Sequence, residues 1–362
     1  MSKSFGADLE TEILVRLPAK SLMRFKCVKQ SWNALLKTPY FVKRHMQMNM
    51  SDEQRLMIFP SMVQEDEKNA LTILSIQDNP TVTPIENIFS KNPLRICSFG
   101  HCNGVFCIQE DHRKDLVLWN PTTKEVHVLP QPSADIVEVE KAEELIGFGA
   151  DPSTDEFKLV KVGVHRHKHC FISFSSSQVY NHNNKSWTLI PCPSLPSETI
   201  PYHSGRSENN YNTLVNGVYH WLLGPNHNDH NFNILAFDFQ NNQFQLLESP
   251  VQYCHCHHGI AEINGSLAYL SRHFLAMRIW VKNQQGWVLK YNIKVPLDPD
   301  VSVERALSKG KNDVQVLGRR SKQNLIMLYD KDGNLLRQYQ INNLPCMMWV
   351  LEYVQSIAPL SA

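Results

Sequence analysis

The sequence of 362 residues predicts an all-α segment of three short helices over residues 1–48, followed by an all-β, propeller-like body of about six blades over residues 49–362. Three observations predict it. Hydrophobic spacing is helical up to Met48 and loses that period past residue 55. The later part repeats a strand–turn–strand unit roughly every 44–61 residues, the interval of a four-stranded blade. Charge divides at the same place: residues 1–50 carry nine Lys/Arg against three acids, and the remainder carries 27 against 32, so a net charge of +1 hides a basic head on an acidic body.

The helical spacing starts with Leu9, Ile13 and Leu17 at intervals of four, continues with Leu22, Phe25 and Val28 at intervals of three, and ends with Trp32, Leu35 and Leu36. Pro18 disfavours helix at Leu17, Ser21 is the expected N-cap of the second helix, and Pro39 is expected to end the third run before Phe41 and Val42. So short a helical segment buries little surface by itself, so it must lean on a partner or on the rest of the chain.

In the body, five segments run from an apolar strand into Asn or Asp, through polar turn residues, and back into a second strand: Leu116–Pro130, Ser177–Pro191, Leu235–Pro250, Arg278–Ile293 and Leu325–Ile341. Each reads as a hairpin. Asn103-Gly104, Asn216-Gly217 and Asn264-Gly265 precede three of them, and Asn-Gly favours the tight positive-φ turn between antiparallel strands. Two hairpins make one blade. A strand pair at Leu56–Pro60 and Ala70–Ile76 supplies a further blade, with a last strand near Trp349–Tyr353 expected to close the ring against an early one.

Composition and motifs narrow the function. A hydrophobic share of 42% and a charged share of 20% are those of a folded globular chain. No apolar run approaches a membrane span, and the N-terminus has no signal-peptide pattern, so the expectation is a cytoplasmic chain with access to the nucleus, with no membrane partner. Nine cysteines in such a chain read as reduced thiols. There is no G-x-S-x-G, H-E-x-x-H or Walker loop, and Gly147-Phe148-Gly149 leads into a strand, so a nucleotide site is rejected. On strands, Cys254, Cys256 and His258 share one face, as do His165, His167 and His169, which makes three zinc ligands per cluster geometrically conceivable. Neither spacing is a zinc signature, and in a chain with 16 histidines ordinary strand and loop residues are the simpler reading. The acidic run holding Asp135, Glu138, Glu140, Glu143 and Glu144 falls between hairpins and reads as a loop, either a solvated insertion or a patch for a basic partner. Phe25 and Trp32 sit on the apolar stripe of the basic segment, which argues against a nucleic-acid surface.

Residues Glu12–His45, EILVRLPAKSLMRFKCVKQSWNALLKTPYFVKRH, resemble the F-box of plant F-box proteins. The body resembles the plant F-box-associated domain through FGHCNGVFCI (Phe99–Ile108), the Trp119-Asn120-Pro121 hairpin and GFGADPSTDEFKLVKV (Gly147–Val162), with Ala150 and Phe157 standing where tyrosine is usual. The R-L-P-A-K-S-L-M-R-F-K-C run and the ending Leu351–Pro359 are similar to the S-locus F-box and S-locus F-box-like group. The resemblance implies a non-catalytic substrate receptor of an SCF-type ubiquitin ligase with a kelch-like propeller and no cofactor or metal. Its F-box would bind the Skp adaptor and thereby the cullin core, and its body would hold a protein target, an S-RNase in self-incompatibility members. The motif's apolar positions, Leu14, Leu17, Pro18, Leu22 and Val28, are the adaptor contacts it implies. The acidic loop is the expected target contact. A propeller metalloprotein or hydrolase stays open as the alternative and would need titratable groups converging at the ring's centre.

Overall fold

The computed structural model describes residues 2–49, 54–60, 71–76, 81–85, 96–110, 115–132, 143–166, 172–194, 212–224, 231–252, 257–273, 276–294, 301–309, 313–341 and 348–360. Four helices come first: α1 (Ser2–Leu14), α2 (Ala19–Phe25), α3 (Gln30–Leu36) and α4 (Pro39–Asn49). The expected count of three fails at Pro39. A proline cannot continue a helix from within, but in the first turn its missing N–H is one that no carbonyl would have met, so Pro39 opens α4. Thr38 prepares that start, its Oγ1 accepting the Phe41 amide at 3.3 Å and donating to the Leu35 carbonyl at 2.7 Å. Likewise Pro18, not Ser21, occupies the N-cap of α2, in an extended conformation without a side-chain cap.

The strands run β1 (Gln54–Pro60), β2 (Leu71–Ile76), β3 (Thr81–Ile85), β4 (Ile96–Cys102), β5 (Val105–Glu110), β6 (Leu116–Asn120), β7 (Glu125–Val128), β8 (Glu143–Ala150), β9 (Phe157–Arg166), β10 (Ile172–Asn181), β11 (Ser186–Leu189), β12 (Thr213–Val215), β13 (Val218–Leu223), β14 (Asn231–Asp238), β15 (Gln243–Gln252), β16 (His257–Ile263), β17 (Ser266–His273), β18 (Ala276–Asn283), β19 (Gly286–Lys294), β20 (Val301–Lys309), β21 (Asp313–Arg320), β22 (Leu325–Tyr329), β23 (Leu335–Gln340) and β24 (Met348–Tyr353). Among the described residues they form four-stranded antiparallel sheets β4–β7, β8–β11, β12–β15, β16–β19 and β20–β23, plus one of order β24-β1-β2-β3. In that last sheet β24 pairs with β1, Arg55 opposite Tyr353 and Pro60 opposite Met348, so the final strand closes the ring against the first.

Turn chemistry explains why the repeated segments fold alike. Asn103, Asn216 and Asn264 have φ near 50° and the glycines after them φ of 75° to 80°, the two left-handed residues that a tight hairpin requires. At the outer hairpins the Asn or Asp that ends the strand caps its own turn. Asn120 Oδ1 accepts the Thr122 amide at 2.9 Å, Asn181 Oδ1 that of Asn183 at 2.9 Å, Asp238 Oδ1 that of Gln240 at 2.7 Å, and Asp330 Oδ1 that of Asp332 at 2.9 Å.

Neighbouring blades pack their facing sides into apolar layers. Val160, Val162 and Val179 meet Trp221, Leu235 and Phe237; Leu222 and Ile234 meet Ile260 and Tyr269; Ala268 and Ile279 meet Val314 and Val316; Leu317 and Ile326 meet Leu56 and Val350. A further cluster is continuous across the two parts. Leu14, Val15, Ala19, Leu22, Leu36 and Phe41 pack with Cys107, Leu118, Phe148, Leu159 and Tyr180 of two blades and with Ile357, Ala358 and Leu360 of the C-terminal tail. The short helices lean on the chain itself.

Candidate functional site

The helical segment presents one side to the propeller and the other to solvent. On α1, Leu14 and Val15 are buried whereas Leu9 and Ile13, one turn apart on the opposite side, are 56% and 55% exposed. Of the adaptor contacts expected from sequence, Pro18 is exposed, Val28 is 67% exposed and Leu17 is half-buried against the core. Leu14 and Leu22 are 2% and 0% exposed and serve to hold the helices on the blades. A residue can sit on a motif's apolar positions for either reason, and sequence spacing does not separate the two. Leu9 and Ile13 escaped the reading of contacts, although their four-residue interval was the available signal.

Ion pairs brace this face from within. Glu10 accepts the Trp32 indole N–H at 2.8 Å and Lys29 Nζ at 3.0 Å, and these hydrogen bonds, Trp32's first, hold its carboxylate below the usual range. Lys29 also lies 5.6 Å from the Trp32 ring centre. Arg44 binds Glu12 and donates to the Tyr40 hydroxyl at 3.0 Å. Glu10 and Glu12 are thus engaged internally, and exposed Lys20, Arg24 and Lys37 give the outer surface its positive charge.

Motif residues of the body prove to be joints. The glycines of Gly147-Phe148-Gly149 admit the next blade: a Cβ at Gly147 would lie 2.7 Å from Trp221 Cζ2, and one at Gly149 would lie 2.4 Å from Phe239 Cε2. Following them, Asp151 accepts Lys158 Nζ at 2.7 Å and the Ser153 amide at 2.9 Å, while the same ammonium donates to the Phe239 carbonyl at 2.8 Å across the blade boundary. Burial works against the Asp151 carboxylate, yet the Lys158 and Ser153 hydrogen bonds outweigh it and hold the pKa at about 2. Asn120 donates to the Ser356 and Ala358 carbonyls at 3.0 and 2.9 Å, His182 Nε2 lies 2.7 Å from the Leu360 carbonyl, and the Leu360 amide donates to Glu125 at 2.7 Å. Gly104 lets the tail past, since a Cβ there would lie 2.2 Å from Ser356 Cβ. Lys43 of α4 adds an ion pair to Asp155 at 3.2 Å. Sequence reading placed the last strand and missed the tail beyond it, whose bonds come from residues over 170 positions away.

Asp135, Glu138 and Glu140 lie outside the described residues. Glu143 and Glu144, expected in that loop, instead open β8, because the strand must run far enough back to pair with β9: Glu143 stands opposite Val164, and Glu144 binds Lys161 at 2.8 Å. Cys254, His255, Cys256, His167 and His169 also lie outside them. His258 is buried on β16 with its Nδ1 2.9 Å from the Tyr269 hydroxyl, and His165 is on β9. Among the described residues no three His, Cys, Asp or Glu groups are placed to hold a metal ion, and no helix is long and apolar enough to cross a membrane.

Curated relatives match two thirds or more of the chain. F-box protein At2g40925 of Arabidopsis thaliana is 25% identical across 95% of this chain and 87% of its own length. Two F-box/kelch-repeat proteins of the same plant, At3g23880 and At3g17530, are 29% and 26% identical; the first matches 67% of this chain and 65% of its own length, the second 76% and 70%. The family model described as the F-box associated beta propeller domain matches residues 57–360, a span that runs from the ring-closing first strand to the tail bound by Asn120 and Glu125, and the chain therefore belongs to the plant F-box proteins with an F-box-associated propeller.

Proposed function

We propose that this chain is the substrate receptor of an SCF-type ubiquitin ligase. Its helices dock on the Skp adaptor, which brings the cullin core, and its propeller holds the protein to be ubiquitinated. The observation that carries the reading is the exposed set Leu9, Ile13, Pro18 and Val28 on a basic helical surface whose other side is built into the propeller core. Exposed apolar side chains ringed by charge mark a protein interface, and the cations suit an acidic partner. In this reading the chain needs no nucleophile, because isopeptide transfer takes place on other subunits and the receptor raises the local concentration of target lysines. We propose a basic protein as target, an S-RNase being the instance that the S-locus resemblance suggests.

Substituting Leu9 and Ile13 by Ala tests the docking face, because neither side chain belongs to the core. Interface energy concentrates in a few apolar anchors, so the double variant is expected to lose about 2 kcal/mol of adaptor affinity, roughly 30-fold, with its melting transition unchanged. Affinity within threefold of the parent would place the adaptor elsewhere.

A further inference from the structure

Strands from five blades bring charged and polar side chains to one cavity on the propeller axis, of about 200 Å³, lined among others by His101 of β4, Tyr219 of β13, Glu262 of β16, Arg305 of β20 and Glu352 of β24. Its construction departs from the regular ladder at two of these positions. The pairing of β4 with β5 shifts register between Ser98 and Gly100, just before His101, and that of β20 with β21 shifts between Val303 and Arg305. Such irregularities re-aim the side chains that follow them and recur beside binding sites.

The charges in the cavity are only partly matched: Arg305 attracts Glu352, whose carboxylate also accepts a backbone hydrogen bond from Ser308. Arg305 Nη1 donates to the Val350 carbonyl at 3.1 Å, and its buried Nε has no hydrogen-bond partner in the structure described. Burying a donor unmatched is costly, so this guanidinium calls for an acceptor, best an anion. Opposite in sign, Glu352 and Glu262 stand near enough for Glu262 to oppose ionisation of Glu352. Burial first, then the Glu262 charge, raise the Glu352 pKa to about 7 against the pull of Arg305. One Glu262 oxygen accepts the Gly265 amide. His101 is neutral, burial and the Arg305 charge pushing its pKa down to about 4, and its Nε2 accepts the Gly104 amide at 3.1 Å. A cation alone would meet Arg305, and an anion alone would meet the two glutamates. The complement to both is one molecule carrying both charges.

We propose that the axial cavity is a binding site for a small zwitterion of amino-acid size, its carboxylate on Arg305 and its ammonium against Glu352 and Glu262. At about 200 Å³ the cavity has room for a molecule the size of the smallest amino acids. This goes beyond the receptor reading and does not depend on it.

The test is thermal shift and calorimetric titration of the full chain with glycine, L-alanine and L-serine, beside acetate and methylammonium as the two half-ligands. At about 10 mM, the zwitterions are expected to raise the melting temperature by a few degrees, and the half-ligands to do so much less. Arg305→Gln and Glu352→Gln are each expected to weaken zwitterion binding by about tenfold or more while melting cooperatively without ligand. If Arg305→Gln does not fold, the near-isosteric Glu352→Gln alone decides. The proposal is overturned if no zwitterion binds the folded parent, if acetate or methylammonium binds as well, or if the folded variants bind undiminished.

Discussion

Replacing Asn120 by Ala tests whether the C-terminal tail is a structural part of the propeller. The side chain donates to the buried carbonyls of Ser356 and Ala358, at 3.0 and 2.9 Å, while its Oδ1 caps the β6–β7 turn by accepting the Thr122 amide. Alanine therefore strips two buried acceptors of their side-chain donor and removes a turn bond. With about 1–3 kcal/mol for each buried group left unmatched, the expected loss is about 3 kcal/mol, a fall of roughly 6–10 °C in melting temperature. Asn120→Asp separates the two roles: the carboxylate can still accept from Thr122 but turns an acceptor toward two carbonyls, so its loss should equal or exceed that of alanine. Urea unfolding gives the energies. Hydrogen exchange gives the location, since the amides of Ser356, Ala358 and Leu360 are bonded to Thr122, Ser356 and Glu125 side chains and should lose protection first. A loss below about 1 kcal/mol with these amides still protected would refute the reasoning, since the donation would then contribute no more than one solvent-exposed hydrogen bond.

Other outcomes are expected at separate sites. Asp151 has a pKa of about 2 against the usual 3.8, so its contribution is complete above that usual value and is lost as pH falls toward 2; acid titration of stability should lose about 2 kcal/mol that Asp151→Asn does not show. Glu352 is displaced the other way, from 4.5 to about 7, so the native state binds a proton the unfolded chain lacks and stability falls as pH rises between those values; Glu352→Gln should stabilise the protein by about 1–3 kcal/mol at pH 8 and by little at pH 5 in denaturant titrations. Gly104→Ala should cost several kcal/mol in the same assay, with φ at +80° and the new methyl driven into Ser356. For the proposed basic target, neutralising Asp135, Glu138, Glu140, Glu143 and Glu144 together should slow association and flatten its salt dependence more than it changes dissociation; stopped-flow rates that do not move would leave the run a solvated insertion.

What was legible in the sequence follows from how local each cause is. Asn103-Gly104, Asn216-Gly217 and Asn264-Gly265 carry their turn chemistry within two residues, and the Asn or Asp at the outer hairpins caps a turn within three, so the hairpins and the repeat they build could be read directly. The closing strand was legible because an open ring leaves an edge that something must cover. Pro39 was misread because the same residue stops one helix and starts another, and only the Thr38 hydroxyl behind it distinguishes the cases. The split of the helical motif into buried Leu14 and Leu22 and exposed Leu9, Ile13 and Val28 was hidden, since burial there is imposed by blades over 80 residues away. The axial cavity was hidden for the same reason: His101, Glu262, Arg305 and Glu352 have no common spacing and meet only when the ring closes.

The union of helices and propeller bears on how a receptor of the proposed kind would work. Two modules joined by a flexible linker hold their partners at an effective concentration that falls as the linker lengthens. Here the relation is set instead by one core in which Leu22, Leu36 and Phe41 pack with Leu118, Phe148 and Ile357, by the Lys43–Asp155 pair, and by a tail that crosses from the closing strand to Asn120, Glu125 and His182. The tail begins where β24 has sealed the ring, so complete closure and the seating of the helices draw on the same last residues. A target bound to such a propeller would be presented at a fixed distance and angle from the adaptor, and which of its lysines came within reach would depend on the propeller face it used.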